Sequence, residues 1–249
     1  MALETPVKPR VHAFMRNGHP ATAKPVLIVG APRQSRRRDS LGLRALNVVI
    51  AALGLVLAAP VMLVIALLIK LTSPGPVLYT QLRVGLDRRN GSTGYPASRR
   101  QVDHGGRLFR IYKFRTMRVD AGDTAQVWAK PNDSRVTPIG RILRQYRLDE
   151  LPQLFNVLVG DMNIVGPRPE QPAIFQQLRT QIEGYAQRQR VRPGITGWAQ
   201  VNQHYDQSID DVKKKVKLDL EYIEKRSVWH DLKIMLRTLP VMIFRQGSW

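Results

Sequence analysis

The sequence predicts a monotopic membrane protein of the α/β class, mostly helical with a few short strands, carrying a Pro-kinked re-entrant helix and amphipathic interfacial helices. Three observations predict it. Residues 45–69 contain no charged side chain, with Asn47 and Pro60 the only interruptions of an apolar run. Two stretches further on, 77–84 and 108–117, read as short extended segments, the second alternating apolar and basic residues as a half-buried strand does. The remaining ordered sequence reads as amphipathic or apolar helices separated by Pro- and Gly-rich turns.

The 249 residues allow one large domain or two small ones, with ample length for a core. A formal net charge of +20 points towards nucleic acid, an anionic membrane surface or phosphorylated substrates. There is no cysteine, which excludes a disulfide framework and a thiolate metal site. The five histidines lack metal-ligand spacing. No G-x-S-x-G, Walker-type or G-x-G-x-x-G motif is present, which counts against the common hydrolase and nucleotide folds.

Three regions follow in order. Residues 1–42 form a flexible basic arm containing Arg36-Arg37-Arg38, suited to anionic headgroups or simply solvated. Residues 43–71 form the membrane helix, since roughly 20 apolar residues suffice to span a bilayer. Pro60 removes a backbone donor and crowds the preceding turn, so a kink is expected there. Basic residues flank the run on both sides, Arg44 before it and Lys70 after it, and the positive-inside rule sends both flanks to the cytoplasm. A re-entrant helix bent at Pro60 satisfies both, provided protein or water covers the freed carbonyls. The competing readings are an ordinary transmembrane helix with a proline kink and a buried soluble helix.

Residues 72–249 form a cytoplasmic unit. After the turn Ser73-Pro74-Gly75-Pro76 and the extended segment 77–84 comes a polar insertion, 87–106, long for a loop. The strand 108–117 offers Arg110, Lys113 and Arg115 as phosphate ligands or as a solvated face. Helices are expected over 139–146, over 175–190 and over 208–225, the last capped by Ser208 with Asp211 three residues on. Residues 191–202 form a loop in which Gly194 lets the backbone approach a ligand. Residues 229–244 are apolar around Pro240 and either lie in the membrane interface or pack beneath the domain.

The stretch 144–170 concentrates the chemistry. Asp149 and Glu150 stand before Leu151-Pro152, and proline in a first helical turn makes Asp149 the expected N-cap. An acidic pair at a helix start is more often a simple cap than a site. Upstream, Arg141, Arg144 and Arg147 recur every three residues along one side of a helix. Downstream, Gly166-Pro167-Arg168-Pro169 holds an arginine on a stiff extended turn. Carboxylates able to hold a divalent cation, a helix start and several arginines make a diphosphate site.

The residues that carry a family resemblance are the Pro60 helix, IYKFRTM at 111–117, LDELPQLFNVLVGDMNIVGPRP at 148–169 and VRPGITGWAQVN at 191–202. In this order they resemble the monotopic phosphoglycosyl transferases, the bacterial sugar transferase family, over about residues 43–245. The resemblance implies transfer of a phospho-sugar from a UDP-sugar to undecaprenyl phosphate, a polyprenol phosphate, with release of UMP. It further implies Mg2+ as cofactor and action at the cytoplasmic leaflet of the bacterial inner membrane, at the start of exopolysaccharide or other surface glycan assembly. By resemblance Asp149 is the nucleophile, through a covalent aspartyl-phosphosugar intermediate, and Glu150 is a magnesium ligand or a base near the acceptor. Asp149 and Glu150 are thus the expected metal ligands, with Arg144, Arg168 and Arg192, then Lys113 and Arg115, as phosphate clamps. Pro167, Pro169 and Gly194 are expected to shape the nucleotide loop. A homodimer is allowed for.

Two departures stand out. Ala59-Pro60 replaces the Ser-Pro common at the helix break, and the 87–106 insertion is longer than in the smallest members. The extra membrane bundle and soluble domain of the large members are expected to be missing. The rival reading, a basic membrane-tethered nucleic-acid-binding or scaffold protein, follows from charge alone. No nucleic acid is expected, because the arginines cluster beside acids and prolines and no stacking or groove-reading module is evident.

Overall fold

The computed structural model describes residues 39–87, 104–119, 133–203 and 208–243. The arm up to residue 38, most of the 87–106 insertion and Phe244 lie outside the described residues.

The chain starts with α1, Leu41–Thr72, whose N-terminus is capped by Ser40 Oγ accepting from Leu43 N at 3.2 Å. It runs as one unbroken helix with Pro60 inside it and is long and apolar enough to cross a membrane. A single stripe, Leu43, Asn47, Ala51, Ile65 and Ile69, is buried. The other faces are not, and Val56, Leu57 and Leu63 are each more than 70% exposed. The turn at Ser73-Pro74-Gly75-Pro76 stops the helix, and Arg115 clasps it there by donating to the carbonyls of Ser73 and Pro74.

β1, Leu78–Val84, pairs antiparallel with β2, Leu108–Phe114, in the register Leu78↔Phe114 to Val84↔Leu108. α2, Pro138–Gln145, follows, capped by Thr137 with proline at its start. α3, Gln153–Val159, ends where Gly160 turns left-handed at φ 84°. Asn156 of α3 binds the backbone of β2, donating to Arg110 O at 2.7 Å and accepting from Tyr112 N at 3.1 Å, so a side chain satisfies β2 where no third strand is paired among the described residues.

β3, Asn163–Val165, lies parallel to β4, Gly194–Thr196. Gly194 serves this pairing, because a Cβ there would come within 2.1 Å of Gly166 N and 2.4 Å of Thr196 O. The expected helix over 175–190 is divided: α4 covers Pro172–Gln181, Gly184 turns left-handed at φ 74°, and Tyr185–Arg190 forms a separate 3-10 stretch. Likewise the expected loop at 191–202 contains β4 and the short α5, Trp198–Asn202.

α6, Ile209–Lys225, has the expected cap, with Ser208 Oγ accepting from Asp211 N and donating to Asp211 Oδ2 at 2.8 Å. α7, Val228–Ile243, completes the order and exposes Trp229, Leu236 and Leu239.

Both halves of α1 pack on this unit. Ala51 joins the main core with Phe109, Ile111, Val157, Val165 and Ile234. Ile65 and Ile69 form another cluster with Phe114 and Leu143, against which Leu148 and Leu151 pack. The residues on either side of the acidic pair therefore pack against the cluster that α1 joins.

Candidate active site

Asp149 and Glu150 sit on a single 3-10 turn, Leu148–Glu150, between α2 and α3. Arg147 precedes it at φ 56°, the only positive φ outside glycine among the described residues. Such a conformation costs an L-residue roughly 1–2 kcal/mol, and here it separates the end of α2 from the turn that carries the acids. Asp149 is therefore not the N-cap of α3. Leu151 N, which an N-cap there would serve, already bonds to Leu148 O at 3.3 Å, and Pro152 occupies the cap position. α2 ends at Gln145, so Arg141, Arg144 and Arg147 do not share one helix face.

Both acids are buried, but their surroundings differ. Glu150 Oε1 accepts from Lys113 Nζ at 2.8 Å and from Arg168 Nη2 at 2.6 Å. Asp149 Oδ2 only approaches the Lys113 ammonium, at 3.8 Å. Burial works against a charged Glu150, yet Arg168 and Lys113 outweigh it and hold the carboxyl well below its usual range. Burial lifts the Asp149 carboxyl above its ordinary value, opposed by Lys113, Arg144 and Arg168 and reinforced by the neighbouring Glu150. One acid thus organises two cations by hydrogen bonds, while the other meets Lys113 only at longer range.

Three cations converge on the pair. Lys113 comes from β2, and Arg168 comes from the Pro-bracketed segment after β3. Arg144, from α2, donates its Nε to Thr116 Oγ1 at 2.9 Å and adds to the field on Asp149. This is a carboxylate pair inside a cationic frame, against an apolar helix.

A family profile described as bacterial sugar transferase matches residues 38–245. The chain belongs to this family. It is 44% identical over 198 residues to the UDP-glucose:undecaprenyl-phosphate glucose-1-phosphate transferase of Escherichia coli K12, which covers 79% of this chain and 39% of that protein. It is 41% identical to the UDP-N-acetylgalactosamine-undecaprenyl-phosphate N-acetylgalactosaminephosphotransferase of Aeromonas hydrophila, over 82% of this chain and 44% of the relative. To the UDP-glucose:undecaprenyl-phosphate glucose-1-phosphate transferase of Caulobacter vibrioides it is 43% identical, over 83% of this chain and 71% of the relative. The chain spans less than half the length of the first two.

In this bacterial sugar transferase the other expected clamps are engaged elsewhere. Arg115 Nη2 donates to Ser73 O and Oγ, both at 2.7 Å, and so fastens the end of α1. Arg192 donates its Nε to Gly160 O at 2.9 Å and its Nη1 to Asp39. Arg44 donates to Val157 O and Leu158 O, both at 2.9 Å, so two arginines satisfy the carbonyls that end α3. Pro167 and Pro169 flank Arg168, and their carbonyls accept from Gly194 N and Arg83 Nη1.

The sequence did not single out Arg83, Arg188 or Glu170 for the site. Arg188 is fully buried and meets Asp219 at 2.7 Å and Glu170 at 3.9 Å. Burial opposes the Glu170 charge, but Lys215, Arg188 and Arg83 together bring its carboxyl down to about 2. Strand alternation places Arg83, Gln81 and Tyr79 on one face of β1, and that was the available signal for Arg83.

Proposed function

We propose that this protein transfers a sugar 1-phosphate from a UDP-sugar to undecaprenyl phosphate, releasing UMP, and thereby initiates assembly of an exopolysaccharide or another surface glycan. The observation that carries this reading is the unequal pair: Glu150 is locked to Lys113 and Arg168 by hydrogen bonds, while Asp149 is buried beside them and meets Lys113 only at 3.8 Å. The names of the three relatives, each with a UDP-sugar and undecaprenyl phosphate, supply the substrate classes.

Asp149 attacks the β-phosphorus of the UDP-sugar. The bond from that phosphorus to the bridging oxygen breaks, and UMP leaves with its electron pair. The sugar phosphate remains on Asp149 as an acyl phosphate, which divides one displacement into two. An oxygen of undecaprenyl phosphate then attacks the same phosphorus and the aspartyl carboxylate is released. Arg168, Lys113 and Arg144 neutralise the phosphate charge, and Glu150 holds the first two in place.

Magnesium fits the donor set. Among the described residues no group of three or more His, Cys, Asp or Glu could hold a metal, but Mg2+ is commonly held by one or two carboxylates together with substrate phosphates. Asp149 and Glu150 would hold it, and it would supply further neutralisation of the diphosphate.

The same reading takes α1 into the cytoplasmic leaflet of the inner membrane and out again, bent at Pro60. Packing supports it: Leu43, Asn47 and Ala51 near one end and Ile65 and Ile69 near the other face the same unit, while the apolar side chains between are exposed. α7, with Trp229, Leu236 and Leu239 exposed, would lie in the interface.

The test is incubation of the detergent-solubilised protein with a panel of UDP-sugars, Mg2+ and undecaprenyl phosphate. UMP is expected with at least one donor, and its absence with every donor would overturn the transferase reading.

A further inference from the structure

The segment Pro167-Arg168-Pro169-Glu170 carries the arginine that meets Glu150, yet it belongs to no helix or strand. Its prolines remove two of its four backbone donors, so it cannot be held through N–H groups as a strand would be. It is held through its carbonyls instead. Pro167 O accepts from Gly194 N at 3.0 Å, Arg168 O from Arg188 Nη2 at 3.0 Å, Pro169 O from Arg83 Nη1 at 3.1 Å and Glu170 O from Val84 N at 2.9 Å. Four consecutive carbonyls are thus gripped from β4, from the 3-10 stretch before it and from β1.

Two of the four donors are arginine side chains, an expensive way to satisfy a carbonyl. Arg188 has no exposure at all and is kept charged by Asp219, with its Nη1 donating to Tyr185 OH at 2.9 Å. Arg83 is oriented by Gln81, whose Oε1 accepts from its Nη2 at 2.7 Å. Arg83 also repels Arg168, although Glu170 attracts it more strongly. Buried charge of this kind is a poor source of stability, even with Glu170 shared among Arg83, Arg188 and Lys215. A site that must hold one guanidinium at a fixed place before a diphosphate arrives is served by it, because misplacement of a clamp by about 1 Å costs about 100-fold in rate.

We infer that Arg83 and Arg188 are positioning residues, which act through the Arg168 and Pro169 carbonyls to fix the Arg168 guanidinium on Glu150 and so on the donor's diphosphate. Arg83 is the testable member, because Arg188 is sealed in the core with Asp219. The inference rests on the transferase reading for its consequence in rate, but not for its geometry.

Two measurements separate these. In a UMP-release assay, Arg83→Ala is expected to lower kcat by about tenfold to about 100-fold with a much smaller change in the donor KM. Arg83→Lys, which keeps the charge but cannot reach Pro169 O and Gln81 together, is expected to recover only part of the loss. In the Arg168→Ala background, removing Arg83 is expected to cost little more, since it acts through Arg168. Additive losses, or full recovery by lysine, would overturn the inference while leaving the transferase reading intact. A crystal structure of Arg83→Ala needs no activity: Arg168 is expected to leave Glu150, and an Arg168 that stays in place would overturn the inference even if no donor were ever turned over.

Discussion

Arg168 reaches Glu150 at 2.6 Å across eighteen residues of chain, from a position flanked by two prolines. That contact leaves the next acid, Asp149, with a cation nearby and no hydrogen bond to satisfy. The two carboxylates should therefore respond differently to loss of charge. Asp149→Asn is expected to abolish UMP release and any phosphosugar adduct, by at least about 1,000-fold, as loss of a nucleophile does. Its melting temperature should hold or rise slightly, because burial disfavours the Asp149 charge. Glu150→Gln should instead cost about 1–3 kcal/mol of stability, since it deprives Lys113 and Arg168 of their shared anion. Melting curves beside UMP assays decide it, and an Asp149→Asn variant that still forms the adduct would move the nucleophile elsewhere.

What was legible in the sequence is what local pattern encodes. The apolar run of α1, the strand segments of β1 and β2 and the Ser208 cap of α6 each carry their signal within a few residues. Asp149, Glu150 and Arg168 stand in one stretch and could be picked out by residue type and order, whereas Lys113, like Arg115, read equally well as a phosphate ligand or a solvated strand face. Arg115 and Arg192 could not be told from Lys113 and Arg168, because an arginine reveals its partner only in three dimensions. Arg192 finds Asp39 from 153 residues away, and Arg115 finds Ser73 from 42. The break after α4 has the same origin, since Arg188 is drawn to Asp219, 31 residues on, and the chain turns at Gly184 to let it.

Asp231 offers a test by pH. It is fully buried in α7, where burial lifts its carboxyl to about 6 against the pull of Arg226 and of the Tyr222 hydroxyl. An unfolded aspartate titrates near about 3.9. Between about pH 4 and pH 6 the unfolded chain loses this proton first, so Asp231 progressively destabilises the fold as pH rises, and the penalty is complete above about pH 6. Asp231→Asn is expected to be more stable than the parent at pH 7.5, by up to about 3 kcal/mol, with the advantage shrinking as pH falls to about 4. Thermal melts across that range measure it; a variant that is less stable by the same amount at every pH would show that the charge is needed.

Asn47 is the polar member of the buried stripe of α1. Its amide donates to Leu43 O at 2.7 Å within the helix, and its Oδ1 accepts from Ile164 N at 2.5 Å in β3. Asn47→Leu would raise the hydropathy of α1 but leave the Ile164 N–H buried without its acceptor, at a cost of about 1–3 kcal/mol. The expected result is a lower melting temperature in detergent with unchanged membrane partition. An equally stable Asn47→Leu would mean that α1 is held to β3 by apolar contact alone.

The absence of cysteine makes the course of α1 directly measurable, because a single introduced thiol is the only one in the chain. Leu41 and Leu71 lie at opposite ends of the helix, 90% and 73% exposed, and neither side chain is part of the buried stripe. If the helix bends back at Pro60, both ends face the cytoplasm. A membrane-impermeant maleimide should then label neither Leu41→Cys nor Leu71→Cys in intact spheroplasts and both in inverted vesicles. A helix that crosses the bilayer would expose one of the two thiols on each side. Labelling of either variant from outside would thus replace the re-entrant course with a full span, and would require one of the two packed ends of α1 to leave the unit that holds Asp149.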